Sequence, residues 1–173
     1  MNDVLDILKY IIPALIVFGI CYYLLKMFFD KEQAKVDNEW KLEVKKKAFP
    51  LKLQAYERLV LYLERINPSN LVMRVHEPGM SAKMLHKELL KTIRDEYEHN
   101  MTQQLYVSVK GWNLFKQSKE ETIKIYNLSF GKVADDASGI DMAEKVFEIV
   151  SKLDKTPSDI ASEYLKKEIQ AEM

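Results

Sequence analysis

Apolar residues fall into two patterns along this chain: one uncharged run near the N terminus, and repeats three or four residues apart over the rest. The run extends from Tyr10 to Leu25 and contains no Asp, Glu, Lys or Arg. Apolar flanks lengthen it to roughly 25 residues, or about 37 Å as a helix. Such a helix crosses a hydrocarbon layer of about 30 Å with some tilt. The pattern predicts a transmembrane anchor over residues 1–29.

A cleaved secretory signal is also apolar and N-terminal, but it carries a basic head and a small-residue cleavage site. The head of this chain contains Asp3 and Asp6, and no Ala-x-Ala follows the run. Pro13 and Gly19 inside the run are typical of membrane helices. Cys21, the single cysteine of the chain, follows an isoleucine instead of the small residue that lipid attachment requires. We therefore predict a retained membrane helix.

Lysines on the two sides of the run predict its orientation. Six lysines lie between residues 31 and 47, whereas Lys9 and the amino terminus are the positive groups before the run. Positive residues near a membrane helix stay in the cytoplasm. We expect the short N terminus outside and the C-terminal domain in the cytoplasm.

Residues 30–50 have the composition of a charged helical stalk. Opposite charges stand four apart in the pairs Asp37/Lys41 and Glu43/Lys47, a spacing that supports a helix. A thin apolar stripe that includes Trp40 lacks the sustained heptad of a coiled coil. The lysines from Lys41 to Lys47 leave open a role as a lipid-surface sensor, each giving at most about 1 kcal/mol.

Residues 51–173 form a segment long enough to fold as an independent domain, and the spacing of their apolar residues predicts that this domain is all-α. Pro50 is expected in the first turn of a new helix that reaches Ile66, and Leu71 to Val75 form either a short strand or a helical turn. Ser81 is expected to cap one long helix. The core stripe of that helix is predicted to comprise Leu85, Leu89, Ile93, Tyr97, Met101, Leu105 and Val109.

Three further helices are expected in the second half of the domain. One contains the apolar series from Trp112 to Val133, and the next covers about Asp141 to Leu153. Thr156, followed by a proline, is predicted to start the last helix. The predicted architecture is therefore all-α: a transmembrane helix, a stalk and a cytoplasmic helical bundle.

Two strings of this chain resemble an uncharacterised family of single-span proteins of Bacteroidota. They are LQAYERLVLYLERINPSNLVMRV, from Leu53 to Val75, and EYEHNMTQQLYVSVKGW, from Glu96 to Trp112. The likeness extends from the apolar run to about residue 170. It implies a protein of the bacterial inner membrane, and it implies no activity, cofactor or site residue because that family has no known function.

Few residues are arranged for chemistry. Glu96 and His99 form a Glu-x-x-His pair one helical turn apart, which is half of a di-iron or di-manganese site. The other half is missing, so a salt bridge or a solvated face is the favoured interpretation. The five glycines form no phosphate loop, and no nucleophile elbow is present. We predict no cofactor and no catalytic residue.

A formal net charge of zero gives no overall field for nucleic acid, so we predict no nucleic-acid partner. The segment from Asn100 to Phe115 is unusual because Lys110 is its one charged residue. Burial of both faces within the domain is one explanation, and a surface for a protein partner or a second copy is the other. The candidate interaction residues are Gln103, Tyr106, Val107 and Leu114.

These patterns favour a membrane-tethered helical interaction module, a scaffold or accessory subunit that contacts lipid through its first helix. Two alternatives remain open at this point. One is a metal-binding or enzymatic domain that uses Glu96 and His99, and the other is the lipid-surface sensor.

Overall fold

The computed structural model describes the backbone of residues 2–173 and the side chains of residues 11, 15–33 and 35–173. Within them lie six α-helices and a short 3-10 helix, so the all-α prediction is confirmed. The chain divides into two compact units, Met1–Phe49 and Pro50–Met173. The elements are α1 (Asn2–Ile66), α2 (Pro68–Val75), α3 (Ala82–Asn100), η1 (Met101–Leu105), α4 (Val109–Phe130), α5 (Gly139–Val150) and α6 (Pro157–Gln170).

The helical assignment of α1 passes through Pro50, so the prediction of a new helix at that residue is wrong. A proline inside a helix removes one hydrogen bond and normally destabilises the helix by about 3 kcal/mol or more. The sequences on either side consist largely of Lys, Leu, Ala and Gln, which are strong helix formers, and they favour helix on both sides of the proline.

Every described side chain from residue 15 to residue 48 is exposed in the first unit. Glu43 and Lys47 form the ion pair that their spacing predicts, at 3.8 Å. Among the residues that the structure describes, no helix has both the length and the apolar composition needed to cross a membrane. The predicted span includes Tyr10 and Pro13, whose side chains lie outside the described residues.

The second unit buries one apolar core around α4, which contacts α3, α5 and α6. Each helix contributes residues at the spacing expected of a buried helical face. The fully buried residues include Leu59, Leu63 and Ile66 of α1, Leu71 of α2, Leu85, Leu89 and Ile93 of α3, Phe115 and Tyr126 of α4, Met142 and Val146 of α5, and Leu165 of α6.

Hydroxyl side chains cap four of the helices in this unit. Ser81 and Thr156 start α3 and α6, as predicted, by accepting hydrogen bonds from backbone N–H groups of the first turn. Ser108 and Ser138 do the same for α4 and α5. Such caps satisfy amides that have no partner inside the helix.

The starts of α3 and α5 are also joined through their backbones. The Ala82 N–H donates to the Ala137 carbonyl at 2.9 Å, and the Gly139 N–H donates to the Met80 carbonyl at 2.7 Å. A Cβ on Gly139 would lie 3.0 Å from that same carbonyl oxygen, so the close approach favours glycine.

For Leu71 to Val75 the helical alternative is confirmed, because Asn67 caps a helix there and Pro68 occupies its first turn. The prediction for the next helix is wrong, since the helix that starts after Ser81 ends at Asn100 instead of continuing to Val109. The 3-10 turn that follows changes the direction in which side chains project, so Met101, Leu105 and Val109 are exposed instead of buried.

Candidate functional site

Four exposed apolar residues lie in η1 and immediately after it, and we name them the η1 patch. It comprises Met101, Leu105, Tyr106 and Val109, which are 44%, 79%, 39% and 80% exposed. All four lie within nine consecutive residues that contain no charge. Scattered single apolar residues are normal on a protein surface, whereas apolar residues grouped together mark interaction sites.

The predicted interaction residues occupy three different environments. Tyr106 belongs to the η1 patch. Gln103 and Val107 are half-buried beside it, and the Gln103 amide donates to the Thr102 hydroxyl at 3.4 Å. Leu114 is half-buried in a groove between α4 and α6. The structure therefore brings Gln103, Tyr106 and Val107 to one segment and places Leu114 on a separate surface feature.

The patch is followed by a closely packed helix start. The Ser108 hydroxyl accepts a hydrogen bond from the Gly111 N–H at 2.9 Å. A Cβ on Gly111 would lie 3.0 Å from both the Leu165 and the Val107 side chains, so α4 and α6 approach closely there. This packing holds the residues after η1 against the core.

The last helix is also joined to the start of the second unit at this end. The Tyr56 hydroxyl donates to the Glu168 carboxylate at 3.0 Å. Burial first, and then that carboxylate, raise the pKa of the Tyr56 hydroxyl. Lys52 of α1 also forms an ion pair with Glu172, which lies just after the end of α6.

Aromatic side chains pack together where α1, α3 and α4 meet. Tyr62 lies 4.7 Å from Phe115 between ring centroids, and Trp112 lies 5.0 Å from Phe115. Tyr97 stacks on Trp112 at 6.1 Å, and the Lys119 ammonium lies 4.1 Å from the centroid of the Tyr97 ring. Such contacts stabilise beyond simple area burial. They fix the first turns of α4, immediately after the η1 patch.

The groove between α4 and α6 has a volume of about 280 Å³ and is lined by Leu114, Pro157 and Ile160 among others. Ser118 lies in the groove with 2% of its surface exposed, and its hydroxyl has no hydrogen-bond partner among the described residues. Sequence spacing does not reveal this feature, because it depends on how the two helices pack.

The Glu-x-x-His pair lies on the last two turns of α3. Glu96 forms an ion pair with Arg65 at 3.0 Å, and the His99 Nδ1–H donates to the Asp95 carbonyl oxygen at 2.6 Å. Within the part of the chain that the structure describes, no three His, Cys, Asp or Glu side chains are grouped to hold a metal ion. The arrangement of Glu96 is that of a salt bridge.

A second groove, with a larger volume of about 640 Å³, lies along α3. Four basic residues line it together with Leu90 and Phe130; they are Lys83, Lys87, Lys91 and Arg94. The His86 ring stacks on Phe130 with centroids 4.5 Å apart, and His86 Nε2 lies 2.8 Å from Asn127 Oδ1. Sequence reasoning missed this groove, although the 4-4-3 spacing of the basic residues was a usable signal.

Comparison with known proteins gives a family without an assigned role. A family model described as a family of unknown function matches residues 2–172. No curated protein matches the chain. No solved structure matches it either.

Proposed function

We propose that this chain, which belongs to that family of unknown function, DUF7935, is a membrane-tethered helical module that binds a partner protein through its η1 patch. In this role it is a scaffold or accessory subunit of an assembly in the bacterial inner membrane. The proposal assigns it no catalytic step.

The tether is supported by the uncharged run from Tyr10 to Leu25. Leu15, Phe18 and Leu25 are examples of its described side chains, and each is more than half exposed. Large apolar side chains that stay exposed along such a run are stabilised by hydrocarbon. The lysines between residues 31 and 47 support a cytoplasmic position for the second unit.

Exposure of Leu105 and Val109 is the observation that carries the interaction role. Each leaves about four-fifths of its surface in water although the second unit has a well-packed core to receive apolar groups. Burying such residues against a partner contributes roughly 25 cal/mol for each Å² of apolar surface removed from water. Tyr106 and Met101, beside them, are residue types enriched in protein interfaces.

Replacing Leu105 and Val109 with Lys tests the interaction role. The partner should be captured by the tagged full-length protein in mild detergent and lost with the double variant, because two charges cannot be desolvated at an apolar contact. The control is Leu128→Lys with Ile140→Lys, since both of these residues are 59% exposed, Leu128 near the C-terminal end of α4 and Ile140 on α5. The readout is the set of proteins that co-purify with each variant, which we call its companions, identified by mass spectrometry.

Two results would contradict the interaction role. One is that both double variants retain the same companions as the unchanged protein. The other is that both lose them equally, which would indicate a general effect of added charge. Size-exclusion chromatography with light scattering distinguishes a different partner protein from a second copy of this chain.

A reporter fusion tests the tether separately. A reporter that is active only outside the cytoplasm, fused after Met173, should give no signal in cells. Reversing the lysine imbalance, by changing the lysines at 31, 35 and 41 to Gln and adding three lysines near the N terminus, should produce one. A strong signal from the unchanged chain would refute the predicted orientation.

A further inference from the structure

We infer that the basic groove along α3 docks an acidic amphipathic helix of a partner protein. Lys83, Lys87, Lys91 and Arg94 recur at intervals of four, four and three residues. At about 100° for each residue, the four lie within a sector of about 80° on the helix. They extend over about 16 Å of its length. The four positive charges therefore form one continuous row.

Among the described residues, the four side chains of the row form no ion pair within 4.0 Å. The ion pairs within 4.0 Å that the second unit forms use other lysines and arginines, such as Arg65, Lys119 and Lys155. The four side chains of the row are exposed. Because the whole chain has a formal charge of zero, this local row is a specific feature of α3 and not part of a general basic surface.

The groove beside the row has an apolar side. Leu90 and Phe130 line it, and the stack of His86 on Phe130 forms a flat wall at the end near Lys83. A partner that offers only charge would leave this apolar surface in water. A helix with acidic residues on one edge and an apolar residue beside them would contact both parts of the groove.

The charge distribution favours a protein helix over a phosphate polymer. Asp95 and Glu98 line the end of the groove near Arg94, so the charged residues along it change from basic to acidic. A uniform polyanion would be repelled at that end, whereas a helix that carries acidic residues followed by a basic one is complementary throughout. Lysines one turn apart are separated by about 6 Å along α3, which matches carboxylates four apart on the docked helix.

The basic groove and the η1 patch are separate surfaces. The groove lies along α3 and reaches the end of α4 at Phe130, whereas the patch follows the end of α3 and includes the first residue of α4. The two surfaces use different side chains. Each can therefore be removed by substitution without altering the residues of the other.

A designed peptide serves as the probe. Its helix carries Glu at three positions four apart, Leu beside them and Lys at the C-terminal end. Binding to the full-length protein in non-ionic detergent is followed by fluorescence anisotropy over a salt series. We expect saturable binding that weakens as salt rises, and that weakens at least tenfold for Lys87→Glu with Lys91→Glu. The milder pair Lys87→Gln with Lys91→Gln should weaken it less.

The matched control is Lys116→Glu with Lys167→Glu, which adds the same negative charge at exposed lysines on α4 and α6. It should leave binding within twofold of the unchanged protein. Equal weakening by both charge reversals would overturn the proposal, because net charge alone would then explain binding. An unchanged melting temperature for each variant shows that any loss is not caused by unfolding.

Two further probes distinguish other ligands: a short oligothymidine and soluble dihexanoyl phosphatidylserine. The proposal predicts that the peptide binds more tightly than either and that a Gln-for-Glu peptide does not bind. If the oligothymidine or the lipid binds through Lys87 and Lys91 while the acidic peptide does not, the groove recognises phosphate and the proposal is wrong. Absence of any peptide binding at low salt also overturns it.

Discussion

Two neighbouring stretches of the second unit carry apolar residues four apart, yet one stretch buries these residues and the other exposes them. Leu85, Leu89 and Ile93 on α3 are fully buried, whereas Leu105 and Val109 after it are among the exposed large apolar residues. The residue types are similar and the spacing is the same. The difference arises at Asn100, where α-helical geometry gives way to the 3-10 turn.

The comparison shows that apolar spacing indicates burial only while the backbone keeps one helical period. Asn100 is buried, and its side-chain amide donates to the Glu96 carbonyl at 2.8 Å. Asparagine side chains that bond to nearby backbone compete with continued helix formation. The apolar residues beyond that point are directed away from the core and become available to a partner.

The largest expected effect is at the buried stretch. Leu89→Ala should lower the free energy of unfolding by about 2–5 kcal/mol, because it leaves a cavity in a packed core. Leu105→Ala should change it by no more than about 0.5 kcal/mol, because that side chain is already in water. Urea unfolding of the two variants measures both. Similar losses in the free energy of unfolding for the two variants would contradict the observation that Leu89 is buried and Leu105 is exposed.

A smaller effect is expected at the junction of the two stretches. Asn100→Ala removes the hydrogen bond to the Glu96 carbonyl and should destabilise the second unit by roughly 1 kcal/mol. Asn100→Asp is the informative companion, since it keeps the size but cannot donate to that carbonyl. Thermal unfolding monitored by circular dichroism is the readout. No change for either variant would contradict a structural role for this amide.

Glu96 lies one turn before Asn100 on α3, and its ion pair with Arg65 can be tested for a contribution to stability. Glu96→Ala removes the ion pair with Arg65 and should cost at most about 1 kcal/mol, because the Arg65 side chain is nearly half exposed. His99→Ala should have a similar or smaller effect. Metal analysis of the purified protein is the decisive companion measurement. Stoichiometric iron, manganese or zinc that both substitutions remove would support the metal-binding alternative.

The half-buried residues beside the patch should also show only a small change in stability. Gln103→Lys with Val107→Lys should keep the fold, with a free-energy change within about 1 kcal/mol, because long lysine side chains can extend from half-buried positions into water. The same pair should abolish association with the partner. Melting temperature and companion capture measure the two effects. If neither changes, these residues are outside the interface.

Much of the fold could be predicted from local chemistry. The cap residues Ser81 and Thr156 were recognised because a hydroxyl before an apolar series satisfies free backbone amides. The stripe at Leu85, Leu89 and Ile93 was predicted correctly for the same local reason. The break at Asn100 was missed because a single side-chain hydrogen bond overrides a favourable spacing. The end of a helix at such a residue cannot be recognised from the composition of the segment.

The candidate surfaces were less predictable than the helices. The charge-poor segment predicts an interaction role for Tyr106, which is exposed, whereas Met101, Leu105 and Val109 were predicted for the core and are exposed as well. The α3 groove required knowledge that Phe130, distant in sequence, packs beside Leu90 and His86. Such juxtapositions depend on how helices pack against each other, which residue spacing within one helix does not specify.

The paired hydrogen bonds that join the starts of α3 and α5 have a consequence for exchange with solvent. The amides of Ala82 and Gly139 lie at helix starts, where amide hydrogens normally exchange quickly. Here each donates to the other segment, so neither helix start can open alone without breaking both bonds. The two amides should therefore exchange deuterium together and slowly, as one cooperative unit formed by residues more than fifty positions apart.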